Sequence, residues 1–143
     1  MARSLLETTD CRLQFAGHET FPLRHGWLKK AYDAISKEED VGDQLGAIFN
    51  DDSAIALFGV GRNMVISMRH WAIATDILVA EDRVGERAAR IAKGQLGTLL
   101  FGENLDPYLE HAGSLWLLHW MLAAKPGRAT VWHWAFNEFH EPS

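Results

Sequence analysis

Two stretches of this chain concentrate side chains able to do chemistry. The first, Phe15 to Trp27, reads FAGHETFPLRHGW and holds His18, Glu19, Arg24 and His25. An imidazole and a carboxylate can serve as general acid and base, a guanidinium can hold a phosphate, and both histidines can ligate a metal. The spacing gives little help to a metal site, because there is no His-Glu-x-x-His helix and Pro22 separates the two histidines. Groups of this kind more often fasten a loop to a helix through hydrogen bonds. The second stretch, Gly59 to Lys93, holds six bases (Arg62, Arg69, Arg83, Arg87, Arg90 and Lys93) against four acids (Asp76, Glu81, Asp82 and Glu86). It is locally basic in a chain whose formal net charge is -5. Here the chemistry is recognition. Arg62 and Asn63 have the donor patterns that pair with guanine and adenine edges, Ser67 and His70 follow one and two turns later, and Arg69, Arg87, Arg90 and Lys93 suit phosphate oxygens.

These side chains need elements to aim them. Ser53 to Phe58 reads as a short helix after the capping candidates Asn50 to Ser53, and it stops at Gly59-Val60-Gly61. A longer helix is expected from about Arg62 to Leu78. Met64, Val65, Met68, Trp71, Ala72 and Thr75 form its apolar stripe, with Arg62, Asn63, Ser67, Arg69 and His70 mostly off it. Helix, tight glycine turn and second helix with a polar leading edge is the helix-turn-helix plan, in which the second helix enters the major groove. The segments 77–80 and 87–92 then read as a two-stranded ribbon, a wing, and Gln95 to Phe101 as another short helix. Upstream, Thr20 and Pro22 suggest a helix start, and Leu23, Trp27, Leu28, Ala31 and Ile35 give it a helical apolar spacing to about Ser36. Lys37 to Gly46 reads as a surface loop.

The tail adds helices over Ser114 to Ala124 and Ala129 to Phe139, with four of the six tryptophans. The first is apolar on nearly every side, which requires something to bury it: this domain, a homodimer partner or further chain. His111, His119, His133 and His140 recur there without a known ligand spacing, and read as packed histidines with no metal. Ala54 to Gly61 invites a dinucleotide reading as strand plus Gly-x-Gly, but Met64 stands where the third glycine belongs and no βαβ alternation follows. No cofactor is expected.

Composition bounds the rest. With 143 residues, 48% hydrophobic and 23% charged, the chain can bury a core as one domain, 1–143: a helix-turn-helix core at about 53–78, a wing at about 77–93 and a Trp-rich tail at about 106–139. A single cysteine, Cys11, excludes an internal disulfide. The longest apolar run is too short for a membrane span, and the N-terminus carries no signal-peptide pattern, so a cytoplasmic protein is expected.

The phrases FAGHETFPLRHGWLKKAYDAI (15–35), GVGRNMVISMRHWAIAT (59–75), DPYLEHAGSLWLLHWMLA (106–123) and TVWHWAFNEF (130–139) resemble the DUF4007 family of bacterial proteins. The resemblance runs through most of the chain and corresponds to the N-terminal half of such proteins. It implies gene neighbourhoods of DNA sulfur modification and phage defence, beside phosphoadenosine-phosphosulfate-reductase-like genes, and carries no catalytic residues with it. The resulting expectation is a mainly α, winged helix-turn-helix-like protein with additional C-terminal helices. It would bind double-stranded DNA through Arg62, Asn63, Ser67, Arg69, His70, Arg87, Arg90 and Lys93. The alternatives are a protein-protein module using the Trp-rich tail and a nucleic-acid-processing enzyme using His18, Glu19, Arg24 and His25.

Overall fold

The computed structural model of the chain describes residue 6 and residues 12–41, 47–50, 52–81 and 90–139. Helix α1 spans Trp27–Val41, α2 Ser53–Phe58 and α3 Arg62–Ala74; strands β1 (Leu78–Glu81) and β2 (Arg90–Lys93) follow. Then come α4 (Gln95–Gly97), which widens into a π-helical turn over Thr98–Gly102, α5 (Ala112–Ala124), and α6 (Thr130–His133), which widens in the same way over Trp134–Glu138. The protein is mainly helical with a small antiparallel sheet.

Helix α1 buries Trp27, Leu28, Ala31, Tyr32, Ala34 and Ile35 at the spacing expected of an amphipathic helix, and Lys29 bridges Asp33 one turn on at 2.8 Å. Its bounds differ from the expectation at both ends. Thr20 does not cap it and Pro22 does not open it. Glu19 and Thr20 take left-handed φ of 47° and 64°, and Phe21 N–H donates to the His18 carbonyl at 2.8 Å. The Phe21 carbonyl in turn accepts from the Trp71 indole at 3.0 Å, so residues 21–24 lie non-helical against α3. The helix also runs past Ser36 to Val41, since Lys37 to Asp40 contains no breaker before Gly42.

Helix α3 stops at Ala74, four residues short of the expected Leu78, through a Schellman closure. Asp76 takes φ 61°, its N–H donates to Ile73, and Ile77 N–H donates to Ala72. Leu78 therefore begins β1. The strands pair antiparallel in the register Leu78 with Lys93, Val79 with Ala92, Ala80 with Ile91 and Glu81 with Arg90. The return from β2 needs two glycines. A Cβ on Gly94 would stand 2.1 Å from the Asp76 carbonyl oxygen, and one on Gly97 2.2 Å from that of Ile77. Only bare backbone fits there, and it brings α4 onto the end of α3.

The core lies among these elements: Leu28 and Ile35 of α1, Met68 of α3, Ile77, Leu78, Ile91 and Leu100 are sealed from solvent, and Leu118 and Leu122 of α5 join the same cluster. Helix α5 is introduced by Asp106, whose carboxylate accepts from the Glu110 and His111 N–H groups, each at 3.0 Å, and it is capped by His111 Nδ1 accepting from Gly113 N–H. Of the coverings expected for α5, the rest of this domain supplies one side. Ser114, Leu118, Leu122 and Ala123 face inward, whereas Leu115, Trp116, Leu117 and Trp120 are open to solvent. Among the described residues no helix is long and apolar enough to cross a membrane.

Candidate nucleic-acid interface

Helix α2 ends at Gly59 with φ 66°, its N–H capping back to the Ile55 carbonyl, and Gly61 at extended φ and ψ starts α3. This turn sets the first residues of α3 outward. Arg62, Asn63 and Ile66 are exposed, Arg69, His70 and Ile73 partly so, and at that spacing they form one stripe along the helix. Arg62 is not a free cation: its Nη1 lies 3.0 Å from Asp52 Oδ1, with the two side chains 64% and 92% exposed. An ion pair that wet is worth at most about 1 kcal/mol. Partial burial of Arg69 depresses its guanidinium pKa from the ordinary value.

Ser67 does not belong to this stripe. It is 0% exposed, and its hydroxyl donates to the Phe21 carbonyl at 3.4 Å, beside the Trp71 indole bond to the same oxygen. Its small size lets the 21–24 segment pack on α3, and it has no route to a ligand in the folded protein. His70 is turned toward the interior end of the stripe. Gly17 packs so closely on it that a Cβ there would stand 2.7 Å from the imidazole Nδ1. The His70 pKa is lowered, by burial first and then by His18 and Arg69, which disfavours the imidazolium.

On the ribbon, Arg90 faces Glu81 across the ladder and Lys93 ends β2. Arg83 and Arg87 lie outside the described residues. Lys93 reaches a cleft it shares with Asp76, Trp120, Lys125 and Arg128, where Arg128 Nη2 stands 3.6 Å from Asp76 Oδ1. Lys125 and Arg128 were not singled out in the sequence; their only signal was position, in the turn between two tail helices.

The four groups of the N-terminal stretch do not converge. His18 Nδ1 accepts from Thr20 N–H, and its ring lies against Trp71 at 6.2 Å and His70 at 6.0 Å. His25 Nε2 is 3.1 Å from the Tyr108 carbonyl oxygen, Arg24 lies over the Phe21 and Trp27 rings at 5.8 and 5.6 Å, and Glu19 is exposed. In the tail, His119 Nδ1 accepts from the Trp132 indole at 3.2 Å and His133 Nδ1 bonds the Ala123 carbonyl, while His140 is outside the described residues. Among the described residues no three His, Cys, Asp or Glu side chains gather as metal ligands.

What does converge was not anticipated. The N-terminal segment is tied to α6 by Gln14 N–H donating to Thr130 Oγ1 at 2.7 Å and Thr130 N–H to the Gln14 carbonyl at 3.1 Å. That pairing carries His18 and Phe21 to one side of a cleft of about 360 Å³ whose other walls are His70 and Trp71 of α3 and Trp132 and Phe136 of the tail. Three separate sequence phrases thus meet at one place.

Comparison with known proteins places these features in a family context. The profile of the family described as "Protein of unknown function (DUF4007)" matches residues 15–143. Two solved structures share the fold. One, described as a magnesium ion-bound SspB crystal structure, is 36% identical over 88% of this chain and 37% of that chain, with a TM-score of 0.69. The other, an SspB crystal structure, is also 36% identical, over 80% of this chain and 33% of that chain, with a TM-score of 0.63. The chain therefore spans about a third of those proteins. No curated protein matches it.

Proposed function

This chain belongs to the DUF4007 family, and we propose that it is a DNA-binding recognition or regulatory module of winged helix-turn-helix type, acting in a bacterial DNA-modification or phage-defence system. The observation that carries the reading is the outward stripe of α3, with Arg62 and Asn63 at its leading end and Arg69 behind, set by the Gly59 turn and followed directly by an antiparallel ribbon bearing Arg90 and Lys93. A helix presented in this way can place its first side chains on base edges while the ribbon holds phosphates. The exposed Arg62–Asp52 pair is weak enough for a phosphate to take the place of Asp52. The exposed Lys125 lies in the same cleft as Lys93, where Arg128 is already engaged by Asp76. The defence setting rests on the gene neighbourhoods the family resemblance implies.

Fluorescence anisotropy with duplex DNA across a salt series tests the reading. Binding at low salt should weaken as salt rises, with a slope of about −0.9 in log K against log salt for each phosphate contacted. Arg62→Ala with Arg69→Ala should weaken it at least tenfold, about 1.4 kcal/mol. Absence of binding at low salt, or an affinity indifferent to the double substitution, overturns the proposal.

One observation favours a second reading. Trp116 and Trp120 are 70% and 65% exposed on α5, a face of the kind that anchors protein interfaces. On this reading the tail docks a protein of the same system or a second copy, and the assembly survives high salt.

A further inference from the structure

The α3 stripe reaches the aromatic cleft at His70. From Arg62 to His70 it runs eight residues along the helix, about 12 Å, so a nucleic acid gripped at the leading end of α3 has the cleft within reach. The cleft's volume, about 360 Å³, falls in the range of small-molecule sites. Its walls are rings: Trp71 and Trp132 meet edge to face at 6.3 Å, and Trp132 and Phe136 are splayed at 34° with centroids 5.6 Å apart. Phe136 is 60% exposed, so one wall of the cleft is open to an incoming ring. Two imidazoles stand at the polar edge, His18 and His70. His18 uses Nδ1 to accept from Thr20, which makes Nε2 the protonated nitrogen of the neutral ring and hence a donor. His70 is held toward its neutral form by burial and its neighbours, and a neutral imidazole offers one donor and one acceptor.

Flat aromatic walls with a few neutral donors and acceptors at one edge match a planar heterocycle bearing its own donors and acceptors. A carboxylate would find no charged partner among the rings. We infer that this cleft receives an unstacked nucleobase, stacked on the exposed face of the Trp132–Phe136 pair and read at its edge by His18 and His70. The inference rests on the DNA reading for the source of the base. The same ring chemistry could arrive as a free nucleoside, and the experiment separates the two.

The probes are adenosine and cytidine in solution, monitored by tryptophan fluorescence, and 2-aminopurine placed within a short single strand and within the matching duplex, monitored by its own fluorescence. Wild-type protein should quench the 2-aminopurine of the strand, because the base stacks on protein rings. Phe136→Ala, at an exposed ring outside the core, should weaken strand binding about tenfold, the loss expected for one stacked base. Ala135→Trp should fill the cleft from an exposed position and abolish the quench. In both variants duplex affinity at low salt should stay within about twofold of wild type, whereas Arg62→Ala with Arg69→Ala should do the reverse, lowering duplex affinity and leaving the response to free nucleosides intact. Intact duplex binding with a 2-aminopurine signal that neither the protein nor the two cleft variants alter overturns the cleft assignment and leaves the DNA reading standing. A tryptophan response to free nucleosides, lost in Ala135→Trp, with no DNA binding at any salt, keeps the cleft as a nucleoside site and removes the strand as its source.

Discussion

The tail formed by α5 and α6 is richer in apolar residues than the body formed by α1, α3 and the ribbon, yet it leaves more of them in water. In the body the large aliphatics Leu28, Ile35, Met68, Ile77, Leu78 and Ile91 are sealed off from water. In the tail only one side of α5 is sealed, and Leu115, Trp116, Leu117 and Trp120 stand in solvent, joined by Val131, Trp134 and Phe136 from α6. Apolar content alone therefore does not measure a core; what decides is whether a second element lies opposite. The sharpest way to break this contrast is a matched pair of truncations. Met68→Ala should cost about 2–5 kcal/mol, as expected for a fully buried side chain replaced by a cavity. Trp116→Ala removes a larger ring, yet it should change stability by no more than about 0.5 kcal/mol, because that ring gives up little burial. Urea denaturation of both variants reads the difference, and equal losses would mean that the α5 face is covered in solution.

A smaller effect is expected where the body closes on itself. Gly97→Ala places a methyl 2.2 Å from the Ile77 carbonyl oxygen and close to the Tyr32 ring, so backbone must move. The loss should fall at about 1–3 kcal/mol, the usual range for overpacking. Gly127→Ala in the tail meets its nearest atom, the Arg12 carbonyl oxygen, only at 3.1 Å and should cost less. A thermal shift comparing the two checks whether tight closure is confined to the body.

How much of this could be read from residue types follows the same division. The α2 bounds, the start of α3 and the two strands were legible because glycines and apolar periodicity mark them, and those signals are local. The end of α3 was not. A Schellman closure usually shows itself as a glycine at the left-handed position, and here Asp76 holds it, so the apolar run through Ile77 and Leu78 read as more helix. Thr20 misled in the other direction: a capping residue before a proline was overruled by the Phe21 carbonyl bonding to Trp71 on α3, a contact across 50 positions of chain. Ser67 was assigned to the polar face by type, but α3 packs it inward. The cleft was invisible for a related reason. His18, His70 and Trp132 were each noticed, in three different stretches, and nothing in their local spacing says that Gln14 pairs with Thr130 and draws them together.

The seam between body and tail passes through that cleft, and His70 offers a gentler probe of it than any truncation. Its pKa is held below the ordinary value of the imidazole, chiefly by burial, with His18 and Arg69 acting in the same direction. The unfolded chain then binds a proton at a higher pH than the folded one. It follows that folding stability is full above the unfolded value, about 6.5, and falls as pH drops from there toward the folded value, because acid favours the unfolded state. His70→Gln removes this titration and should flatten that part of the urea-midpoint profile, leaving intact the further loss at lower pH as Asp106, whose carboxyl is held below its usual range by Ser114 and the backbone before α5, takes up its proton. A profile unchanged by the substitution would place the acid sensitivity elsewhere and would mean that His70 is better solvated than its packing against Gly17, His18 and Trp71 indicates. A flattened one would show that the seam stays closed in solution and that protonation of His70 works against the folded state.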